Sequence, residues 1–236
     1  MLYRFEPHEF NNIRGIIAEW LVRFYINHVT IPKLKENFDF VFMDVPRKDS
    51  IPLHHIEKRL LNEKLNGTCT PKVSKEDPLY IYFENVRVHV PRGMLNKFLW
   101  RGVFPTPDLY EKTIKLLVLL DVTPDGIIYK LKRTGTDLSS FDFKKAFSRW
   151  DPKMFEGLIM RRSFPIVSGE IEVIEVKANK SYFTYDELMN YGEIIRNGYT
   201  IRYFKVNIIS LDKNEFEIYE KVISSLDELR KRPKIS

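Results

Sequence analysis

Glu175 and Lys177 stand two residues apart in GEIEVIEVKANKS (residues 169–181), a β-branched run that reads as a strand. Side chains along a strand alternate faces, so Ile171, Val173, Glu175 and Lys177 share one face while Glu172, Ile174 and Val176 share the other. The second face is apolar and therefore expected to be covered, and ions at such a place are costly unless paired or bound to metal. Residues 154–162 read as another strand, joined to residues 170–178 around Ser163-Phe164-Pro165 and Ser168-Gly169 as a hairpin. A turn centred on Pro165 and Ile166 sets Glu156 opposite Glu175. Two facing carboxylates raise each other's pKa unless a cation lies between them. An all-oxygen site of that kind suits Mg²⁺, with Mn²⁺ as its natural substitute. Glu170 and Glu172 are expected to be solvated charges near the turn.

Other elements must position this pair. Phe10, Ile13, Ile17, Trp20, Leu21 and Phe24 recur at steps of three and four, which predicts a helix over 8–28 with that stripe on a core and Pro32 closing it. Residues 38–45 read as a strand, 54–67 as a short helix stopped by Gly67, and 79–90 as a strand or a hairpin turning at Glu84-Asn85. A helix is expected over 109–120 behind Pro107 and Asp108, then a turn at 123–126, a strand after it, and a short helix over 141–150. Thr184 and Glu187 form a capping box that opens a helix running to Asn197, with Gly198 as its stop. Residues 199–209, apolar on both faces, read as a central strand. Residues 214–231 are expected to be a final helix.

The chain has 236 residues, 44% of them hydrophobic, enough for one core with or without a smaller subdomain. Lys and Arg outnumber Asp and Glu by 38 to 32, a net charge of +6, which favours an anionic partner. A single Cys69 excludes an internal disulfide and a multi-cysteine metal site. No apolar run approaches the roughly 20 residues of a membrane span, and no leader is evident, so a soluble protein of the cytoplasm is expected. The sequence contains no Gln. Depletion of thermolabile residues beside many charges fits a thermophile source, archaeal or viral, with the host cytoplasm as the location in the viral case.

Glu175-Val176-Lys177 at a strand end, with the acid Glu156 (in FEGLIM) in a partner strand, resembles the core of the PD-(D/E)XK nuclease superfamily, in its RecB-like and Holliday-junction-resolvase-like branch. Gly15-x-x-x-Glu19, within RGIIAEWLV of the first helix, is similar to the first motif of RecB-like nucleases. Glu187-Leu-Met-Asn-Tyr191 is similar to their QxxxY motif, with Glu in place of Gln. The chain departs from the pattern at the middle acid, which in the family is usually Asp and often follows Pro. Pro124-Asp125 matches literally but stands 50 residues before Glu175, against 19 for Glu156. Glu156 is therefore the first choice and Asp125 the runner-up.

The resemblance implies a restriction-endonuclease-like α/β fold, a mixed central sheet flanked by helices with an inserted α/β region. Residues 1–32 and 151–236 would form the core and 33–150 the insertion, with a role in nucleic-acid binding open to it. It further implies Mg²⁺ held by Glu156, Glu175, the Val176 carbonyl and Glu19, with Lys177 placing the attacking water or stabilising charge. Glu187 and Tyr191 would orient Lys177 or the DNA strand. The implied activity is hydrolysis of DNA phosphodiester bonds to 5′-phosphate and 3′-hydroxyl ends, in replication, recombination or repair. An enzyme cutting both strands would be expected as a two-fold homodimer. Lys144, Lys145, Arg149, Arg161, Arg162 and Lys180, with Lys130, Lys132, Arg133, Phe141, Phe147 and Trp150 nearby in sequence, are expected to track the phosphate backbone and stack bases.

Each residue also has a purely structural explanation. Glu175 with Lys177 can be an ion pair on an edge strand, Glu19 a flank charge, Glu187 only a cap partner, Tyr191 packing and Asp125 a turn residue. The alternative function is a non-catalytic nucleic-acid-binding protein built on an inactivated nuclease fold. A basic scaffold protein is the third.

Overall fold

The computed structural model describes residues 7–46, 72–73, 80–83, 86–89, 93–135, 164–179, 181–211 and 213–231. They form an α/β arrangement with a mixed, open six-stranded sheet flanked by helices and a separate three-stranded sheet. The chain divides into two compact units, residues 1–45, 124–129 and 171–236 in one and residues 46–123 and 130–170 in the other. Compared with the division expected at residues 32 and 150, the strand near residue 40 and Pro124–Tyr129 join the first unit, and residues 151–170 join the second.

In the first unit, α1 (Pro7–Tyr25) runs through a π-helical turn (Ile26–Thr30) into α2 (Ile31–Leu34). Pro32 was expected to end the helix, yet it stands inside α2. Proline clashes with the carbonyl one turn back, and the wide π-turn just before it absorbs the misfit. The buried stripe of α1 is Ala18, Val22 and Ile26, packed on Ile128, Ile174, Phe204 and Val206 of the sheet, with Leu21 and Tyr25 at its margin. Trp20 and Phe24, expected on the core, are 72% and 59% exposed. The helix turns its smaller residues to the sheet, where a close approach is possible, and leaves the two rings outside.

The strand order is β1 (Phe40–Asp44), β6 (Gly126–Gly135), β7 (Ile166–Ala178), β8 (Thr200–Ser210) and β9 (Glu215–Ile223), with β5 (Phe104–Pro105) parallel to the start of β7. β6 and β7 run in opposite directions, since Asp125 N donates to Ile174 O while Thr134 Oγ1 reaches Ile166 O. β7 and β8 are parallel, joined through α5 (Tyr185–Arg196), whose capping box forms as expected. Residues 201–206 of β8 are buried on both faces, as a central strand should be.

Two sequence expectations fail in this unit. Residues 214–231 are not one helix but β9 and the short α6 (Leu226–Arg230). Glu215-Phe216-Glu217-Ile218 alternates with a period of two, and Asn214 at φ 55 makes the turn that folds β9 back on β8. Glu172 is not solvated either. It is 2% exposed and bonds Arg202 Nε at 2.6 Å, and the same guanidinium also pairs with Glu220.

The second unit holds the antiparallel strands β2 (Lys72–Val73), β3 (Tyr80–Phe83) and β4 (Val86–His89), the helix α3 (Gly93–Trp100) and the helix α4 (Pro107–Leu119) capped by Thr106. The hairpin expected over 79–90 is present, Tyr80 facing His89 and Phe83 facing Val86. Gly169 is not a turn residue but lies inside β7, where a side chain would drive into the Lys130 carbonyl of β6. The helices expected over 54–67 and 141–150 lie outside the described residues. No described helix is long and apolar enough to cross a membrane.

Candidate active site

Glu175 points from the middle of β7 into the layer between the sheet and α5 and is 4% exposed. Its carboxylate takes Lys177 Nζ at 2.5 Å on one oxygen and the Tyr191 hydroxyl on the other. Lys177 is shared, with Glu187 Oε1 at 2.8 Å, and the other oxygen of Glu187 accepts from Thr184 N in the capping box. The cap that starts α5 thus also fixes the lysine of β7. Below them Phe183 packs against Tyr191 and Tyr203 at ring-centroid distances of 5.7 and 5.2 Å, with Lys177 Nζ 5.8 Å from its centroid. Phe183 was not singled out from sequence, although the residue before an N-cap is the usual place for an apolar anchor.

Asp125 completes the group. It ends the 123–126 turn, and the chain enters β6 directly behind it, so its Oδ2 accepts from Val176 N at 2.7 Å, between Glu175 and Lys177. Burial and the Glu175 charge push its carboxyl up to about 7, the Val176 hydrogen bond works against that rise, and Glu19 on α1 adds to it. Burial likewise raises Glu175, against the pull of Lys177 and Tyr191. Lys177 is itself raised, since the two glutamates outweigh its desolvation. Burial next to Glu175 drives the Tyr191 phenol well above its ordinary value, so it stays a proton donor. Glu19 also pairs with Arg23 at 3.5 Å.

Of the expected site residues, Glu175, Lys177, Glu187 and Tyr191 therefore meet in one hydrogen-bonded cluster, with Asp125 beside them and Glu19 within its electrostatic reach. Glu156 lies outside the described residues. Ile166, Ser168 and Gly169, expected in the turn of that hairpin, are inside β7, and at Glu175 the strand is met by Tyr203 of β8 on one side and by Asp125, just before β6, on the other. Lys144, Lys145, Arg149, Arg161, Arg162 and Lys180 lie outside the described residues. Lys130 is buried and pairs with Glu170 at 2.7 Å.

Among the described residues, no three His, Cys, Asp or Glu side chains are gathered into a metal cage. A hard cation such as Mg²⁺ keeps most of its waters and needs only one or two carboxylates. Asp125 and Glu175 supply that donor set, and their mutual repulsion in a buried place is what such a cation would relieve. No family model, characterised protein or solved structure matches the chain.

Proposed function

We propose that the protein is a metal-dependent nuclease with a restriction-endonuclease-like core, hydrolysing DNA phosphodiester bonds to 5′-phosphate and 3′-hydroxyl ends. The observation that carries this reading is the hydrogen bond from Val176 N to Asp125. It brings Pro124-Asp125 against Glu175-Val176-Lys177, the acid pair and lysine that the PD-(D/E)XK pattern requires, with Asp after Pro as is usual there. The order α1, β1, β6, β7, α5, β8 supports it, as does Tyr191 on Glu175.

Asp125, Glu175 and the Val176 carbonyl would hold Mg²⁺ or Mn²⁺, with Glu19 joining directly or through water. A divalent ion held there would polarise the phosphoryl oxygen and make its bound water a stronger nucleophile. Lys177 places a positive charge where the phosphorane gathers negative charge, and Glu187 and the cap hold it in position beforehand. Tyr191 fixes the rotamer of Glu175. Water adds to phosphorus, the bond from phosphorus to the 3′-oxygen breaks, and that oxygen leaves as the hydroxyl.

In Mg²⁺, Glu175→Gln and Lys177→Met are expected to lower DNA cleavage by on the order of 10²-fold or more, while binding to DNA in EDTA stays near wild type. A second reading, a non-catalytic DNA-binding protein on an inactivated nuclease fold, is favoured by the engagement of both Glu175 oxygens with Lys177 and Tyr191. It gains if wild type binds DNA yet cleaves no single-stranded, duplex or branched substrate with either metal.

A further inference from the structure

At the carboxyl end of β7 and alongside β8 lies a cavity of about 870 Å³ whose lining, among the described residues, includes Arg14, Ala178, Asn179, Ser181, Tyr182 and Lys205 and no carboxylate. It adjoins the carboxyl end of β7, one of two parallel strands, and open α/β sheets generally present their ligand sites at such ends. The unusual member is Lys205. It is 3% exposed, and among the described residues it forms no ion pair, its ammonium resting on the face of Tyr182, 4.6 Å from the centroid.

Buried cations are ordinarily matched by a carboxylate, as the neighbouring strand shows. Lys177, the register partner of Lys205, has two. An aromatic face offsets part of the desolvation of an ammonium but leaves its hydrogen atoms without acceptors. Asn179 adds donors to the same place. Held in a left-handed turn at φ 48, it accepts Ile208 N on Oδ1 at 2.9 Å, so its oxygen is taken and what it offers the cavity is its amide N–H donors. Arg14 brings a second cation from α1. A buried ammonium, a guanidinium and an amide around a cavity free of carboxylates make a receptor for a phosphate.

We infer that this cavity is a phosphate subsite for the DNA backbone, taking a phosphate next to the one being cut. The assignment rests on the nuclease reading for the identity of its ligand, and on Lys205 for its existence. Lys205 and Lys177 lie on adjacent strands about 4.8 Å apart, so a backbone held at Lys205 passes the acid pair.

The test is fluorescence anisotropy with a single-stranded DNA of about 12 nucleotides, long enough to span a groove of this kind, in EDTA so that no cleavage occurs. Lys205→Met, which keeps the length of the side chain, is expected to weaken binding about tenfold and to flatten the dependence of log affinity on log salt by about 0.7. Arg14→Gln, on the helix and away from the sheet, should act in the same direction, and serves if Lys205→Met fails to fold by circular dichroism. Unchanged affinity and slope in a folded Lys205→Met, or in Arg14→Gln where that one alone folds, overturn the subsite. Inorganic phosphate separates the sources: protection of wild type but not Lys205→Met against heat, with DNA affinity unaltered, makes this a free-phosphate site and overturns the backbone assignment. Weakened DNA binding in the variant of a protein that never cleaves would sink the nuclease reading alone.

Discussion

Asp125 carries the sharpest single-residue consequence. Its folded-state pKa of about 7 lies above the ordinary 3.8, so folding takes up a proton between those values. The ionised carboxylate therefore counts against the metal-free fold increasingly as pH rises through that window, and in full above it. Asp125→Asn removes the charge and keeps an acceptor for Val176 N. In EDTA it is expected to melt higher than wild type above about pH 7, by no more than about 4 kcal/mol, with the gain closing toward about pH 4. Added Mg²⁺ should reverse the order, because only wild type gains stability from binding it. Glu156→Gln should keep the Mg²⁺ response. If that variant loses the response while Asp125→Asn retains it, the second acid is Glu156 after all. Sequence had both candidates and ranked them by distance along the chain. It could not show that the strand entered at Gly126 returns to lie against Ile174, so the literal Pro-Asp pair looked too remote.

At the scale of elements, the parts of the site with local signals were legible and those set by tertiary pairing were not. The Thr184 and Glu187 box, the length of α5 and the buried β8 are read from residues adjacent in sequence. The buried face of α1 is not, because Ile16, Trp20 and Phe24 form a second apolar stripe as strong as the one that packs. The double use of Glu187 gives a prediction. Thr184→Ala removes the acceptor for Glu187 N and is expected to cost about 1 kcal/mol, with cleavage per folded molecule little altered. Glu187→Ala should cost similar stability and also lower the single-turnover rate, by about tenfold, since the Oε1 contact that positions the lysine is lost. Glu187→Gln has one acceptor oxygen where Glu187 uses two, so it can serve Thr184 N or Lys177 but not both, and its rate should fall between wild type and Glu187→Ala. Equal rates in all three variants would make Glu187 a cap and nothing more.

Across the whole sheet, β7 carries the candidate chemistry on one face and an ion network on the other. Arg202 of β8 sits between Glu172 of β7 and Glu220 of β9, and Glu220 also accepts from Thr30 of the π-turn at 3.3 Å. Two carboxylates and one guanidinium thus tie three strands to the end of α1, in a place where Arg202 and Glu172 are both buried. Glu172 was read from sequence as a solvated charge, because its partner Arg202 stands 30 positions away and nothing local marks it. Removing the cation leaves two acids facing each other with no guanidinium between them, so Arg202→Met is expected to cost about 3–5 kcal/mol and to lower the melting temperature by on the order of 10 °C. Adding Glu172→Gln should recover at least about 1 kcal/mol of that loss, because the second substitution removes the charge that the first one stranded. Glu172→Gln alone should destabilise. A melt of Arg202→Met within a degree or two of wild type, or a double variant no better than the single, would mean that solvent reaches these groups and that the network does not hold the strands together.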